Sequence, residues 1–245
     1  MCLCLSTASV YFHPVIYRHG WLAQRYYHRQ DSSTSEALRR LRACETLWSA
    51  REIASVAYEA NEIFLSFNGG KDCTTVLHLA AAVFKIKKIS PPVCLYVTDD
   101  PFPEVEAFVD QAASYYGLVL VRKKKPIKSA LEALQNERNT LKAGLMGTRR
   151  GDPGSDKLEA FSFTDPGWPK MMRVFPILDW SYSQVWEFLL KHKVPYCSLY
   201  DNGYTSLGSR ATTTPNPQLR NSEDSPSYAP AYTLLDASVE RQGRG

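Results

Sequence analysis

None of the six cysteines, Cys2, Cys4, Cys44, Cys73, Cys94 and Cys197, forms a C-x-x-C pair. Neither a zinc site nor a dithiol redox pair is signalled, and a reducing compartment is the simplest reading. No run of about 18 apolar residues occurs, so no transmembrane helix is expected. The Walker-type loop G-x-x-x-x-G-K-[ST] is absent as well. Residues 1–30 contain no Asp or Glu, while Arg18, Arg25 and Arg29 lie there. Their apolar stretches are short and broken by His13, Pro14 and Arg18, which argues against a secretory signal. Two readings stand: a mitochondrial transit peptide or an unstructured leader over 1–33. The cytoplasm is the expected location, with the mitochondrion as the alternative. The net charge of +4 is mild. It suits phosphorylated small molecules and is too weak to argue for nucleic acid, so no nucleic-acid partner is expected.

What is present is concentrated in residues 63–75, Ile-Phe-Leu-Ser-Phe-Asn-Gly-Gly-Lys-Asp-Cys-Thr-Thr. Ile63–Leu65 read as the end of a buried strand. Val76, Leu77, Ala80, Val83 and Phe84 follow at helical spacing. A glycine-rich turn, Ser66 to Asp72, therefore joins a strand to a helix N-terminus. Gly69 and Gly70 allow positive φ and close approach of a ligand. The amides of the first helical turn make an anion site. Lys71 adds a positive charge, and Asp72 is an acid beside an expected polyphosphate. That pairing makes sense with Mg²⁺ between the two, so Asp72 is the candidate metal ligand.

Around this loop the pattern alternates strand and helix. A helix is expected from Thr34 or Ser35 through Ala60, on the apolar face Leu38, Leu41, Trp48, Ile53 and Val56. Strands are expected at 63–67, 92–98, 118–122 and 143–147, and helices at 71–87, 103–116 and 127–135. This rhythm predicts an α/β fold with a doubly wound, mostly parallel sheet over 34–245, whose ligands bind at the carboxyl ends of the strands. Asp99 is placed at one such end. Ser181-x-x-Gln184 is a capping box that opens a further helix. Beyond Leu199 the chain becomes loop-rich.

Three more segments carry chemistry. In Met146–Pro153, Gly147, Arg149, Arg150 and Asp152 follow a strand, and arginine forks suit phosphate oxygens. Thr164–Pro169, with Asp165 and Trp168, precedes Arg173, and rigid aromatic segments suit a flat ligand. Trp168 is assigned to the site, and Trp180 and Trp186 to the core. Tyr200–Arg210 brings Ser206 and Arg210 near hydroxyls and turns. The run Arg122–Lys125 with Lys128 reads as a solvated surface, and His78 as a packed or capping histidine rather than a catalytic base.

Ser66–Cys73 resembles the pyrophosphate loop of the PP-loop and PAPS reductase superfamily. Together with Met146–Pro153, Thr164–Pro169, Leu178–Trp180 and Tyr204–Arg210, in this order, the chain resembles the eukaryotic FAD synthases, or FMN adenylyltransferases, from about residue 45 onward. The resemblance implies ATP and FMN as substrates, FAD as product and Mg²⁺ as cofactor. It implies phosphate binding at Ser66, Phe67, Asn68, Gly69, Gly70, Lys71 and Asp72, with Asn68, Lys71, Asp72 and Asp152 essential. Asp165, Trp168 and Arg173 would lie near the flavin. Arg241 and Arg244 resemble the basic tail of the fungal enzymes, and either a tail folded over the site or a frayed terminus fits. Ala211 departs from an acidic residue in several relatives, and the sequence stops one residue after Arg244. A monomer without membrane association is expected, and flavoprotein clients are the open partner class. The rivals are a PAPS reductase-like enzyme, which needs a reactive cysteine; a tRNA-modifying PP-loop enzyme, which needs a basic face; and a non-catalytic binder.

Overall fold

The computed structural model describes residues 34, 60–88, 90–222 and 226–245. The expected leader and nearly all of the helix expected from Thr34 to Ala60 lie outside the described residues. Six strands form one sheet in the order β3-β2-β1-β4-β6-β5. They are β1 (Ile63–Ser66), β2 (Val93–Thr98), β3 (Val119–Lys124), β4 (Ala143–Leu145), β5 (Phe161–Phe163) and β6 (Met172–Val174). All neighbours are parallel except β5 and β6, which pair antiparallel. Among the described residues from 60 onward the α-helices are α1 (Lys71–Lys87), α2 (Pro103–Tyr116), α3 (Ile127–Glu137) and α4 (Tyr182–Lys191).

The sheet is covered on both faces, and alternation along β1 shows how. Phe64 points to one side and packs in a cluster with Leu95, Leu131 and Leu134 of β2 and α3. Ile63 and Leu65 point to the other, into the larger cluster with Val76, Leu77 and Ala80 of α1, Val109 of α2 and Leu189 of α4. Full burial of each such side chain contributes about 1.5–3 kcal/mol, which sets the register.

The boundaries of α1 and α2 agree with those expected from the sequence. Pro103 opens α2 at its first turn, and Gly117, in the left-handed region with φ 65°, ends it. The capping box of α4 forms, with the Ser181 hydroxyl accepting from the Gln184 amide and the Gln184 side chain accepting from the Ser181 amide. Other bounds shift, most of them by one or two residues. β3 runs to Lys124 rather than ending at 122, and β4 stops at Leu145. No strand is expected around Thr164–Pro169 and Arg173, yet the flanking residues form β5 and β6, because Met172–Val174 finds a partner in β4.

Strand order turns around between β1 and β4. β2 and β3 extend the sheet one way from β1, and β6 and β5 the other way from β4. The turns that leave β1 and β4 therefore lie at the switch point of the sheet, where open α/β sheets hold ligands at the carboxyl ends of the strands.

Candidate active site

The turn leaving β1 has a built conformation. Gly69 takes φ +76°, whereas Gly70 takes φ −72° and stands as the N-cap of α1, so only the first glycine uses the expected positive φ. Asn68 folds its side chain over the turn. Its Oδ1 accepts from the Gly70 amide at 3.0 Å and from the Cys73 thiol at 2.7 Å. The Lys71 amide donates to the buried Tyr200 hydroxyl at 2.8 Å. Two donors that an anion could have used are thus already held by side chains. The Phe67 ring is in the core against Phe108, so only the backbone of Phe67 faces the turn.

Lys71 is not a free charge. It is 1% exposed, and its ammonium donates to Asp72 Oδ2 at 3.0 Å, the Thr205 carbonyl at 3.2 Å and Glu240 Oε1 at 2.5 Å. The rings of Tyr182 and Tyr200 lie 5.1 and 5.9 Å from it. All three ammonium protons are therefore assigned within the protein. Sequence reasoning placed Lys71 on phosphate; here it is the centre of a buried network.

Arg149, from the turn after β4, completes that network. Its Nε donates to Asp72 Oδ1 at 2.7 Å, and its Nη2 donates to Glu240 at 2.6 and 2.7 Å. Two cations and two carboxylates balance. Burial alone would raise the pKa of Asp72, but Lys71 and Arg149 hold it below the usual carboxylate range. Burial likewise opposes the charge on Arg149, and Asp72 and Glu240 more than offset it. The two turns touch here: a Cβ on Gly147 would stand 2.6 Å from the Cys73 amide nitrogen. Only a glycine lets β4's turn lie against the first turn of α1.

The neighbouring arginine goes elsewhere. Arg150 reaches outward to Asp179 at 2.6 Å and to the Leu158 carbonyl, so the expected arginine pair is split. Asp152 stays at the site: it accepts from the Arg149 amide at 2.9 Å and from Arg241 at 3.4 Å. Asp99 is exposed at the end of β2, but its neighbour Asp100 makes the contacts. Asp100 pairs with Arg210 at 3.3 Å and accepts from the Ala211 amide at 3.1 Å.

The C-terminal segment folds over this network rather than fraying. Glu240 enters it, and the Arg244 guanidinium donates to the Ser206 hydroxyl at 3.1 Å and to the Leu207 carbonyl at 2.5 Å. Thr213 and Arg244 form an isolated antiparallel bridge. Glu240 and Asp100 are the residues at this site that sequence reasoning missed. The Tyr200–Arg210 segment was singled out, but Glu240 carried no signal of its own.

A second cluster lies on β5, β6 and the turn between them. Arg173 donates to the Phe163 carbonyl at 2.7 Å and faces Asp165 at 3.3 Å. Trp168 and Phe163 remain exposed, at 40% and 52%. The Arg173 Nε is buried with no hydrogen-bond partner. Trp180 and Trp186 are core, as expected. The basic run on β3 is also as expected: Arg122 pairs with Glu106 and Asp110, and Lys123 pairs with Glu137. His78 is packed against Tyr116 and Phe188.

The family model described as the phosphoadenosine phosphosulfate reductase domain matches residues 62–140 and 120–215. A probable FAD synthase of Schizosaccharomyces pombe is 43% identical over 201 residues, which is 79% of this chain and 75% of that protein. Among solved structures, Candida glabrata FMN adenylyltransferase in complex with FMN and the ATP analogue AMPCPP superposes with a TM-score of 0.76 at 26% identity, covering 91% of this chain and 94% of that one. The phosphoadenylyl-sulfate reductase of Candida auris shares the fold, with a TM-score of 0.53 at 17% identity over 79% of this chain and 94% of that one.

Proposed function

The chain belongs to the FAD synthase family, built on the phosphoadenosine phosphosulfate reductase domain, and from that premise we propose how its own residues carry the reaction. It transfers the adenylyl group of ATP to FMN, giving FAD and pyrophosphate. An oxygen of the FMN phosphate bonds to the α-phosphorus of ATP. The bond from that phosphorus to the β-bridging oxygen breaks, and pyrophosphate leaves with the electron pair. A phosphate monoester has its second pKa near about 6, so the nucleophile is already ionised at neutral pH and no general base is required. Catalysis then rests on alignment and charge.

The observation that carries this assignment of roles is the convergence of the β1 turn, the β4 turn and residues 240–244 on Asp72, Arg149 and Asp152. In this reading the β1 turn, with Asn68, Gly69 and Gly70, receives the ATP phosphates. Asp99 faces the ribose from the end of β2, the place an acid takes in nucleotide-binding sheets. Arg241 and Arg244 screen the two anionic substrates from one another. Asp165, Trp168 and Arg173 receive the flavin, and the unpartnered Arg173 Nε offers it a donor.

Magnesium dependence is part of the proposal, with a specific form. Among the described residues no group of three or more His, Cys, Asp or Glu could hold a metal. Both Asp72 oxygens are committed to Arg149 and Lys71. The side chains present do not form a metal cage, so magnesium enters as the metal of the ATP substrate. The reductase alternative needs a reactive thiol. Among the described residues the cysteines are Cys73, Cys94 and Cys197, all buried, and burial pushes the thiols of Cys73 and Cys197 up to about 12 and about 11.

Incubation with ATP, FMN and Mg²⁺, followed by chromatography, is expected to show FAD and pyrophosphate in equal amounts. A folded protein that binds both substrates and forms no FAD would refute the enzymatic reading. Turnover undiminished in excess EDTA would remove the metal.

A further inference from the structure

We propose that Glu240 is a positioning residue for the adenylyl transfer: its carboxylate, shared by Lys71 and Arg149, fastens the C-terminal segment to the β1 turn and so sets Arg241 and Arg244 against the substrate phosphates. The inference rests on the roles proposed above for those two arginines.

The segment has few other anchors of comparable strength. Arg241 meets Asp152 at 3.4 Å, with 41% and 26% of the two side chains exposed. Such a pair is weak and screened by salt. Arg244 holds Ser206 and Leu207, but those residues belong to the same loop region and do not connect it to β1 or β4. Glu240 makes that connection. Its side chain is 13% exposed, and it takes charge-assisted bonds from the first residue of α1 and from the turn after β4. Its backbone is held as well: the Glu240 carbonyl accepts from the Thr205 hydroxyl at 2.6 Å, and the Val239 carbonyl accepts from the buried Asn216 at 2.8 Å. Asn216 also donates to the Thr205 hydroxyl at 3.0 Å. One short weave thus joins Lys71, Thr205, Asn216 and Glu240, and Arg241 is the next residue in the chain.

Charge makes the same point. Lys71 and Arg149 are nearly out of water, and Asp72 alone answers only one of them. With Glu240 removed, the pocket carries a net positive charge that competes for Asp72 and Asp152. Substrate phosphates would then be drawn to Lys71 and Arg149 instead of lying under Arg241 and Arg244. The fault would be one of geometry at the reacting phosphorus, with binding little changed.

The test uses the full chain and two readouts. Glu240→Gln is expected to lower kcat by about 10- to 100-fold, the effect typical of an outer-shell partner, with the KM values for ATP and FMN moved far less. Trypsin is expected to release the peptide bonds after Arg241 and Arg244 at least about tenfold faster, since cleavage follows local opening. Added to an Arg241→Ala/Arg244→Ala variant, Glu240→Gln is expected to cost nothing further in kcat, because it acts through those arginines. A full, additive loss in that background, or an unchanged kcat in Glu240→Gln alone, would overturn the proposal. Should Glu240→Gln fail to fold, Glu240→Asp is read the same way, since the shorter carboxylate cannot span both cations. If the wild-type chain forms no FAD, the proposed roles fail, and the trypsin readout still decides whether Glu240 holds the segment.

Discussion

Replacing Tyr200 by phenylalanine removes one oxygen and tests the architecture of the β1 turn directly. The Tyr200 hydroxyl accepts from the Lys71 amide at 2.8 Å, and Tyr200 is 1% exposed. That amide belongs to the first turn of α1, which has no partner within the helix. The ring itself stays, with its edge contact to Trp186 at 5.1 Å and its face toward the Lys71 ammonium at 5.9 Å. The loss is therefore confined to one buried donor left unsatisfied, worth about 1–3 kcal/mol. In a protein of this size each kcal/mol moves the melting temperature by about 2–4 °C, so a fall of about 2–12 °C is expected. Freed from Tyr200, the amide turns toward water or phosphate and takes the Lys71–Asp72 backbone with it. Misplacement on that scale is expected to lower kcat/KM for ATP by about tenfold, or 1.4 kcal/mol. Burial pushes the Tyr200 hydroxyl well above its ordinary pKa, so the difference between the two proteins should not vary with pH from 6 to 9. Thermal melting and steady-state FAD formation decide the matter. A melting temperature within about 1 °C of wild type, with an unchanged KM for ATP, would show that the turn does not depend on Tyr200.

Asp152→Ala is expected to lower kcat by at least about 100-fold while the melting temperature stays within a few degrees, because Asp152 is at the surface of the site and its loss is one of charge. Asp72→Ala is expected to lose as much activity and also to melt earlier, since Lys71 and Arg149 are left to share Glu240; differential scanning calorimetry separates the two. Burial, with His192 nearby, depresses His78 from 6.5 to about 4. A depressed histidine favours folding above the unfolded value, and that stability is lost as pH falls from about 6.5 toward 4, by on the order of 3 kcal/mol. Urea unfolding across that window should show the slope, and His78→Gln should flatten it. Gly208→Ala is expected to lower turnover without unfolding, because the added Cβ would stand 2.4 Å from the Arg244 guanidinium; kinetics beside a melting curve check it.

The first half of the fold was legible because local signals agree there. Pro103 and Gly117 mark both ends of α2, and the apolar run Val93–Val97 can only be an inner strand. The later strands were not legible, since Phe161–Phe163 and Met172–Val174 are three residues each and no period can be read from so few. The site divides in the same way. Asn68, Gly69 and Asp72 lie on the turn between β1 and α1 that the sequence pattern marks out. Which of two adjacent like residues faces inward, Arg149 or Arg150, Asp99 or Asp100, depends on the direction a turn takes, which composition does not record. Glu240 meets Lys71 across 169 residues and Arg149 across 91. No local pattern ties such a carboxylate to the loop. Nor could the sequence show that Glu240 shares the Lys71 ammonium with Asp72 and the Thr205 carbonyl.

The two outer strands bear on how the protein meets other copies of itself. An open sheet exposes a row of unpaired backbone groups along each margin, and any extended chain can dock there. On one margin that row belongs to β3, where Arg122 and Lys123 are tied to acids on α2 and α3. A strand arriving from outside would have to part those ion pairs and bury charge. On the other margin β5 is three residues long, and Pro166 and Pro169 follow close behind. It is too short to template a register. Among the described residues the two margins thus resist an incoming strand by opposite means, charge on one side and brevity on the other, and the switch point between β1 and β4 is left as the place where the carboxyl ends of the strands would receive a guest.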